Sequence, residues 1–284
     1  PDGSPKVNTS GLDKEYITQY SYGIAESMNL FVPRLFGGSN SENLGTESNA
    51  YTYLTNQGLS RSKALEFTSG LPLYWGDQPI VAAPAYIGAI VFFLFILGIF
   101  LVKGRAKWWL VGGTIMALLL SWGKNFGLLT DFMIEYFPLY DKFRAVSSIQ
   151  VILELCAPIL AILGLVELFK PSLERAKKLN ALKFSVFIVL GFVILLFLLK
   201  GTFNFEGQSD DTYRKYFGDE IMTMIQLDRE SVYISDLIRS LVYVLLASVA
   251  LWLYIKERIK ENVLALALGL LLMFDLVGVD LRYV

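Results

Sequence analysis

Asp141, Lys142 and Arg144 fall within four residues, in "FPLYDKFRAVSSIQVILELCAPIL", directly ahead of an apolar run that carries a carboxylate, Glu154, near its middle. A guanidinium at the lip of such a run can hold a phosphate through its two-pronged donor fork, and the start of the following helix adds unpaired N–H groups and a positive dipole end. Arg144, with Lys142 beside it, therefore suits an anionic lipid headgroup. Snorkelling to ordinary headgroups, or a local pair between Asp141 and Arg144, explains the same cluster without a ligand. Glu154 must face a protein interior, find a partner or stay protonated, because an isolated charge among lipid chains is expensive. It reads as a substrate contact or proton carrier, or as a neutral acid bonded to a neighbouring helix.

Other polar groups gather on the same side. "SWGKNFG", residues 121–127, offers Lys124 and Asn125, which can converge with Arg144 or, with Trp122, anchor a helix end at the interface. "LPLYWGDQPIVAAPAYIG", residues 71–88, holds Trp75, Asp77 and Gln78 between prolines. An indole face for a sugar ring, with a carboxylate and an amide for its hydroxyls, is one reading, and a turn leading into the membrane is the other. Glu26 is a further outer carboxylate suited to sugar or acceptor contact. Arg239 and Asp275 lie inside late apolar runs, and each needs a partner: the other one, or Asp236.

These residues are positioned by membrane-length apolar blocks. Of 284 residues, 54% are hydrophobic, concentrated in runs of the length that crosses about 30 Å of hydrocarbon. The expected architecture is an all-α integral membrane protein with six spans at 80–102, 107–122, 147–169, 183–200, 236–255 and 263–279. The short connections "KGRAK", "KPSLERAKKLNALK" and "KERIKEN" are rich in Lys and Arg, which favours the cytoplasmic side. Residues 1–79, the connection 123–146 and the loop 201–235 then lie outside the membrane, with both chain ends. The outer region carries many aromatic residues, from Tyr16 and Tyr20 to Trp75, which suit an interfacial belt or a ligand platform. Short helices are expected at 19–32 and 60–69. The stretch from Gln226 to Arg258, free of Gly and Pro, predicts one long helix that starts outside the bilayer near Asp228. A first residue that is not Met and a stop at "DLRYV" read as a piece of a longer protein.

Composition excludes several chemistries. There is no histidine and one cysteine, Cys156, so this chain alone builds no zinc site, no Ser-His-Asp triad and no Cys-His pair. A net charge of −1 gives no general attraction for nucleic acid. A divalent cation is compatible with phosphate chemistry, but no ligand cluster in the sequence argues for one.

The blocks "YSYGIAESMNLFVPRLFGGS", "YWGDQPIVAAPAYIGAIVFFLFILGIFLVKGRAKWWL", "SWGKNF", "FPLYDKFRAVSSIQVILE", "LDRES", "DLIRSLVYVLLA" and "FDLVGVDLRYV" resemble the Bacteroidetes branch of the bacterial YfhO-type membrane proteins. That family is similar to the GT-C glycosyltransferases, many-helix proteins with an outward-facing cavity. The resemblance implies a middle-to-late segment of an enzyme in the bacterial cytoplasmic (inner) membrane. Its implied partners are a polyprenyl-phosphate sugar and a cell-envelope glycan or glycolipid acceptor. The key acid of that superfamily lies in a first outer loop that has no counterpart here, so no catalytic residue is carried over. Lys142, Phe143 and Arg144 are the best match for a contact to the carrier phosphate. A transporter or lipid flippase, with Glu154 and Arg239 as coupling charges, and a non-catalytic scaffold are the competing readings.

Overall fold

A computed structural model describes residues 11–284, so the first ten residues of the outer region lie outside the described part. The described chain is helical, without a named strand. Its α-helices are α1 (Lys14–Ile17), α2 (Asn49–Asn56), α3 (Arg61–Thr68), α4 (Ala89–Leu101), α5 (Arg105–Ser121), α6 (Gly127–Tyr136), α7 (Gln150–Phe169), α8 (Arg175–Leu199), α9 (Asp210–Phe217), α10 (Asp219–Ile255) and α11 (Glu261–Asp280). Four described segments are long and apolar enough to cross a membrane: 146–169, 175–202, 219–255 and 261–280. Their outer faces present large apolar side chains such as Val151, Leu155, Phe187, Leu198 and Phe274. On a water-soluble protein so broad an apolar surface would be an aggregation hazard, whereas lipid is its natural solvent. The chain is an all-α membrane protein.

The first expected span differs most. Helix begins only at Ala89, because Pro79 and Pro84 lack backbone donors and Gly88 sits at φ 99°, a conformation that a side chain rarely tolerates. Residues 79–88 run without helix, and the remaining 13 residues of α4 reach about 20 Å, short of the hydrocarbon thickness. Nine of them are buried, so α4 is the central post of the bundle, packed by α7, α8, α10 and α11. The second span is the 17-residue α5, also shorter than a typical crossing helix. The other expected spans are real helices with longer reach. The fourth begins at Arg175 rather than 183, and the fifth is the last part of a 37-residue helix that starts at Asp219, after Gly218, rather than near Asp228.

The turn after Val102 and the connections 170–174 and 256–260 share one end of the bundle. Residues of the last two line one cleft, and Arg175 lies 4.0 Å from Glu257. The opposite end carries a cap made of residues 11–88, 122–149 and 200–218. The expected helix at 19–32 is reduced to a 3-10 segment, Ala25–Leu30. Its first part is committed elsewhere: Tyr22 N–H bonds to Ser121 O at 2.9 Å, and Tyr20 O accepts from Ser147 N at 3.1 Å. A backbone that braces α5 and the 146–149 turn in this way has no groups left for its own helix. The 60–69 helix forms as α3, with Ser60 at its N-cap position.

Buried ions fasten the cap to the bundle. Asp228 of α10 accepts from Ser48 Oγ at 2.6 Å, Asn49 N at 2.6 Å and Ala50 N at 3.3 Å, supplying the first turn of α2 with acceptors for its orphan donors. The neighbouring Arg229, fully buried, pairs with Asp210 and donates to Phe205 O at 2.7 Å and Pro72 O at 2.8 Å. Asp236, two turns on, receives a bidentate fork from Arg34 at 2.9 and 2.9 Å and a third bond from Arg282 at 2.8 Å. Asp236 is therefore not the partner of Arg239. That guanidinium lies 3.1 Å from Asp275 and 4.8 Å from the Tyr243 ring centroid, and Tyr86 donates to Asp275 at 2.6 Å.

Candidate functional site

At the cap end of α7 the chain turns twice through left-handed backbone at residues with a Cβ, Leu139 at φ 69° and Ala145 at φ 64°. Each such turn costs on the order of 1–3 kcal/mol and persists only where its surroundings enforce it. The two bracket Arg144. Its guanidinium lies over the Tyr16 and Tyr20 rings, 4.8 and 5.2 Å from their centroids. It donates to Tyr16 Oη at 3.2 Å and to Gln19 Oε1 at 3.1 Å. Two donors and two aromatic rings thus hold the fork, and the rest of its five N–H groups have no partner among the described residues. Arg144 rims a cleft of about 320 Å³ whose walls are mainly apolar, formed by Leu120, Phe143, Ile149 and Val151. Because Val151 is exposed on the outer face of α7, the cleft is continuous with the face turned to lipid. Lys142 pairs with Asp141 at 2.9 Å, so the Asp141–Arg144 pair is not formed.

Lys124 and Asn125 do not join Arg144. Asn125 donates to Asp77 Oδ2 at 3.0 Å, and Lys124 Nζ lies 3.4 Å from Asp77 O. Lys124 and Asp77, with Lys14, Gln19 and Gln208, line a separate open cleft of about 500 Å³. Gln19 borders both places, since it also accepts from Arg144.

The expected sugar platform is closed. Trp75 is buried, stacked on Phe36 with centroids 4.2 Å apart and wedged by Phe203 and Phe205, so no indole face is open. Glu26 is 1% exposed and is a structural hub rather than an outer carboxylate. It accepts from Gly23 N at 3.0 Å, Tyr74 Oη at 2.5 Å, Asp77 N at 3.2 Å and Gln78 Nε2 at 3.3 Å. Gln78 is thereby spent inside the cap. These bonds give the 71–78 loop its shape because one carboxylate satisfies four donors that burial has stripped of water.

Burial raises the Glu26 pKa, and the four accepted bonds oppose this only in part. A carboxyl whose folded pKa lies above its unfolded value near 4.5 contributes stability that is complete below that value. The contribution is lost as pH rises through the folded pKa. The melting temperature of the protein relative to a Glu26→Gln variant is therefore expected to fall as pH increases above 4.5. A difference that stays flat, or rises with pH, contradicts this environment for Glu26.

Glu154 is exposed on α7, with no hydrogen bond or ion pair among the described residues. It lines a polar cleft of about 230 Å³ with Tyr22, Ser147, Ser148 and Gln150. The expectation that it faces the bundle interior is not met: Leu153 and Ala157 take the inward face. Arg239 and Asp275 pair with each other at 3.1 Å, as described above.

Gln19 carried no signal in the sequence, and Tyr16 and Tyr20 stood out only as members of an aromatic belt or ligand platform, not as partners of Arg144. Arg34 did carry a signal, an arginine inside "LFVPRLFG" that demands a buried partner. Among the described residues no group of three or more Asp, Glu or Cys is arranged to hold a metal ion. No protein-family model, curated protein or solved structure matches the chain. What it can do chemically is therefore read from its own geometry: a fixed cation with spare donors beside an apolar cleft open to lipid, and a polar cleft with an unpaired carboxylate next to it.

Proposed function

We propose that this chain is a segment of a bacterial cytoplasmic-membrane glycosyltransferase, in which Arg144 binds the phosphate of a polyprenyl-phosphate sugar and the sugar passes to an extracytoplasmic glycan or glycolipid. The observation that carries the reading is the Arg144 fork, held by Tyr16, Tyr20 and Gln19 with donors to spare, at the rim of an apolar cleft. A carrier lipid needs these two features together. Its chain seeks an apolar path from the bilayer, and its phosphate gains charge as the glycosidic bond breaks, so a preorganised donor lowers the barrier. The basic connections at the far end of the bundle support a cytoplasmic assignment there, with the cap outside. The resemblance of the "FPLYDKFRAVSSIQVILE" block to YfhO-type proteins points the same way.

The test is release of carrier phosphate by the full-length protein supplied with polyprenyl-phosphate sugars. Arg144→Ala is expected to lower turnover by roughly 10²–10³-fold, as loss of one preorganised donor does elsewhere. Arg144→Lys is expected to recover little, because an ammonium lacks the planar fork. Unchanged carrier binding and turnover in Arg144→Ala would remove the phosphate role.

A further inference from the structure

We propose that the polar cleft beside Glu154 is a binding site for a single sugar ring, held through its hydroxyl groups. Its polar wall is Tyr22, Ser147, Ser148, Gln150 and Glu154, closed by Ala85 and Val151 around about 230 Å³. Gln150 is 3% exposed and its orientation is set by a neighbour. Ser121 Oγ donates to Leu118 O at 2.7 Å, so it must accept from Gln150 Nε2, 3.2 Å away. The amide oxygen is thereby left buried with no partner. Buried acceptors in folded proteins are seldom left unpaired, and each that is carries a penalty of about 1–3 kcal/mol. A ligand donor reaching Oε1 removes that penalty.

Glu154, exposed on α7, adds an unpaired acceptor that lines the cleft itself. Ser147, Ser148 and Tyr22 contribute hydroxyls that donate or accept. Burial and the nearby Glu26 carboxylate push the Tyr22 hydroxyl up to about 12, so it keeps its proton as a donor. No Lys or Arg lines the cleft. An anion would be repelled by Glu154, and an ammonium ion, which only donates, would leave the hydroxyl donors unmatched. Sugar hydroxyls donate and accept, which fits each polar group in the wall. Ser148 and Val151 line both this cleft and the apolar one at Arg144, so a ring held here adjoins the place assigned to the carrier. The site itself does not depend on transfer taking place at Arg144.

The full-length protein in lipid nanodiscs is titrated by calorimetry with the methyl glycosides of glucose, galactose, mannose and N-acetylglucosamine, and with choline chloride for comparison. At least one glycoside is expected to bind. Glu154→Gln and Gln150→Leu are each expected to weaken it about tenfold or more, a change of roughly 1.4 kcal/mol, while Arg144→Ala leaves its Kd within about twofold. Glu154 is exposed, so Glu154→Gln should keep the parent melting temperature and guard against a folding artefact in Gln150→Leu. Failure of every glycoside to bind, binding of choline alone, or a glycoside Kd unmoved by Glu154→Gln each overturns the proposal. Loss of phosphate-carrier binding in Arg144→Ala with glycoside binding intact leaves this site standing and judges only the transfer reading.

Discussion

Arg229→Met is expected to loosen the cap while leaving the lipid-facing helices folded. Arg229 is fully buried, and it bonds Asp210 together with the carbonyls of Phe205 and Pro72. Removing the guanidinium strands a buried carboxylate and two carbonyls at once, and breaking a buried pair from one side costs about 3–5 kcal/mol. The effect should be local, because the partners all lie in the connections 72–74 and 205–210. Hydrogen exchange should speed up there and in α2, which the adjacent Asp228 caps, with little change in α7 or α8. Adding Asp210→Leu to Arg229→Met should restore part of the loss by removing the stranded charge. Lys177→Ala, which breaks an exposed pair with Glu174, should change the melting temperature very little. An Arg229→Met protein that melts and exchanges like the parent would mean that this ion pair does not fasten the cap.

Gly98→Val should damage the bundle itself. At Gly98 a built Cβ would sit 2.5 Å from the backbone oxygen of Leu160, and at Gly164 one would sit 2.7 Å from Gly98 Cα. The obstacle in both cases is backbone, which cannot rotate aside as a side chain can. Helices α4 and α7 therefore touch main chain to main chain, the contact that small residues permit between membrane helices. Forcing atoms into so close a crossing costs about 1–3 kcal/mol for modest overpacking, and valine exceeds that case. The crossing also positions α7, so loss of glycoside and carrier binding should accompany the lowered melting temperature. Gly191→Ala in α8, where a Cβ meets nothing within 4 Å, should be neutral or slightly stabilising. A Gly98→Val protein with the parent's melting temperature would contradict the close crossing.

The membrane-length runs were legible because apolar composition over about twenty residues is a local property. The runs of α7, α8, α10 and α11 show this, as does the absence of Gly and Pro from Gln226 to Arg258. The same measure misjudged α4. A run apolar on every side reads alike whether lipid or protein surrounds it, and only its neighbours decide that α4 is a buried post of 13 residues. The 19–32 segment failed for a related reason: its backbone groups are taken by Ser121 and Ser147, more than 90 positions away.

Charged and aromatic side chains divide in the same way. Arg144 was recognisable as a cation at a helix lip, since that depends on adjacent residues. Trp75 and Glu26 were also conspicuous, yet one is stacked inside the cap and the other holds four donors. Whether such a group meets a ligand or supports the fold depends on what packs over it.

From its residues alone the protein was set to be helical and to live in a membrane, with basic connections at one end and a polar, aromatic-rich region at the other. Those properties follow from composition and from short-range backbone rules, which do not require knowing the neighbours. Tertiary structure decided the partners: Arg34 with Asp236, 202 positions apart, Arg229 with Asp210, and Arg144 between two tyrosines. Pairing energies act through space over a few ångströms, so contacts between distant parts of the chain are settled only when the helices pack.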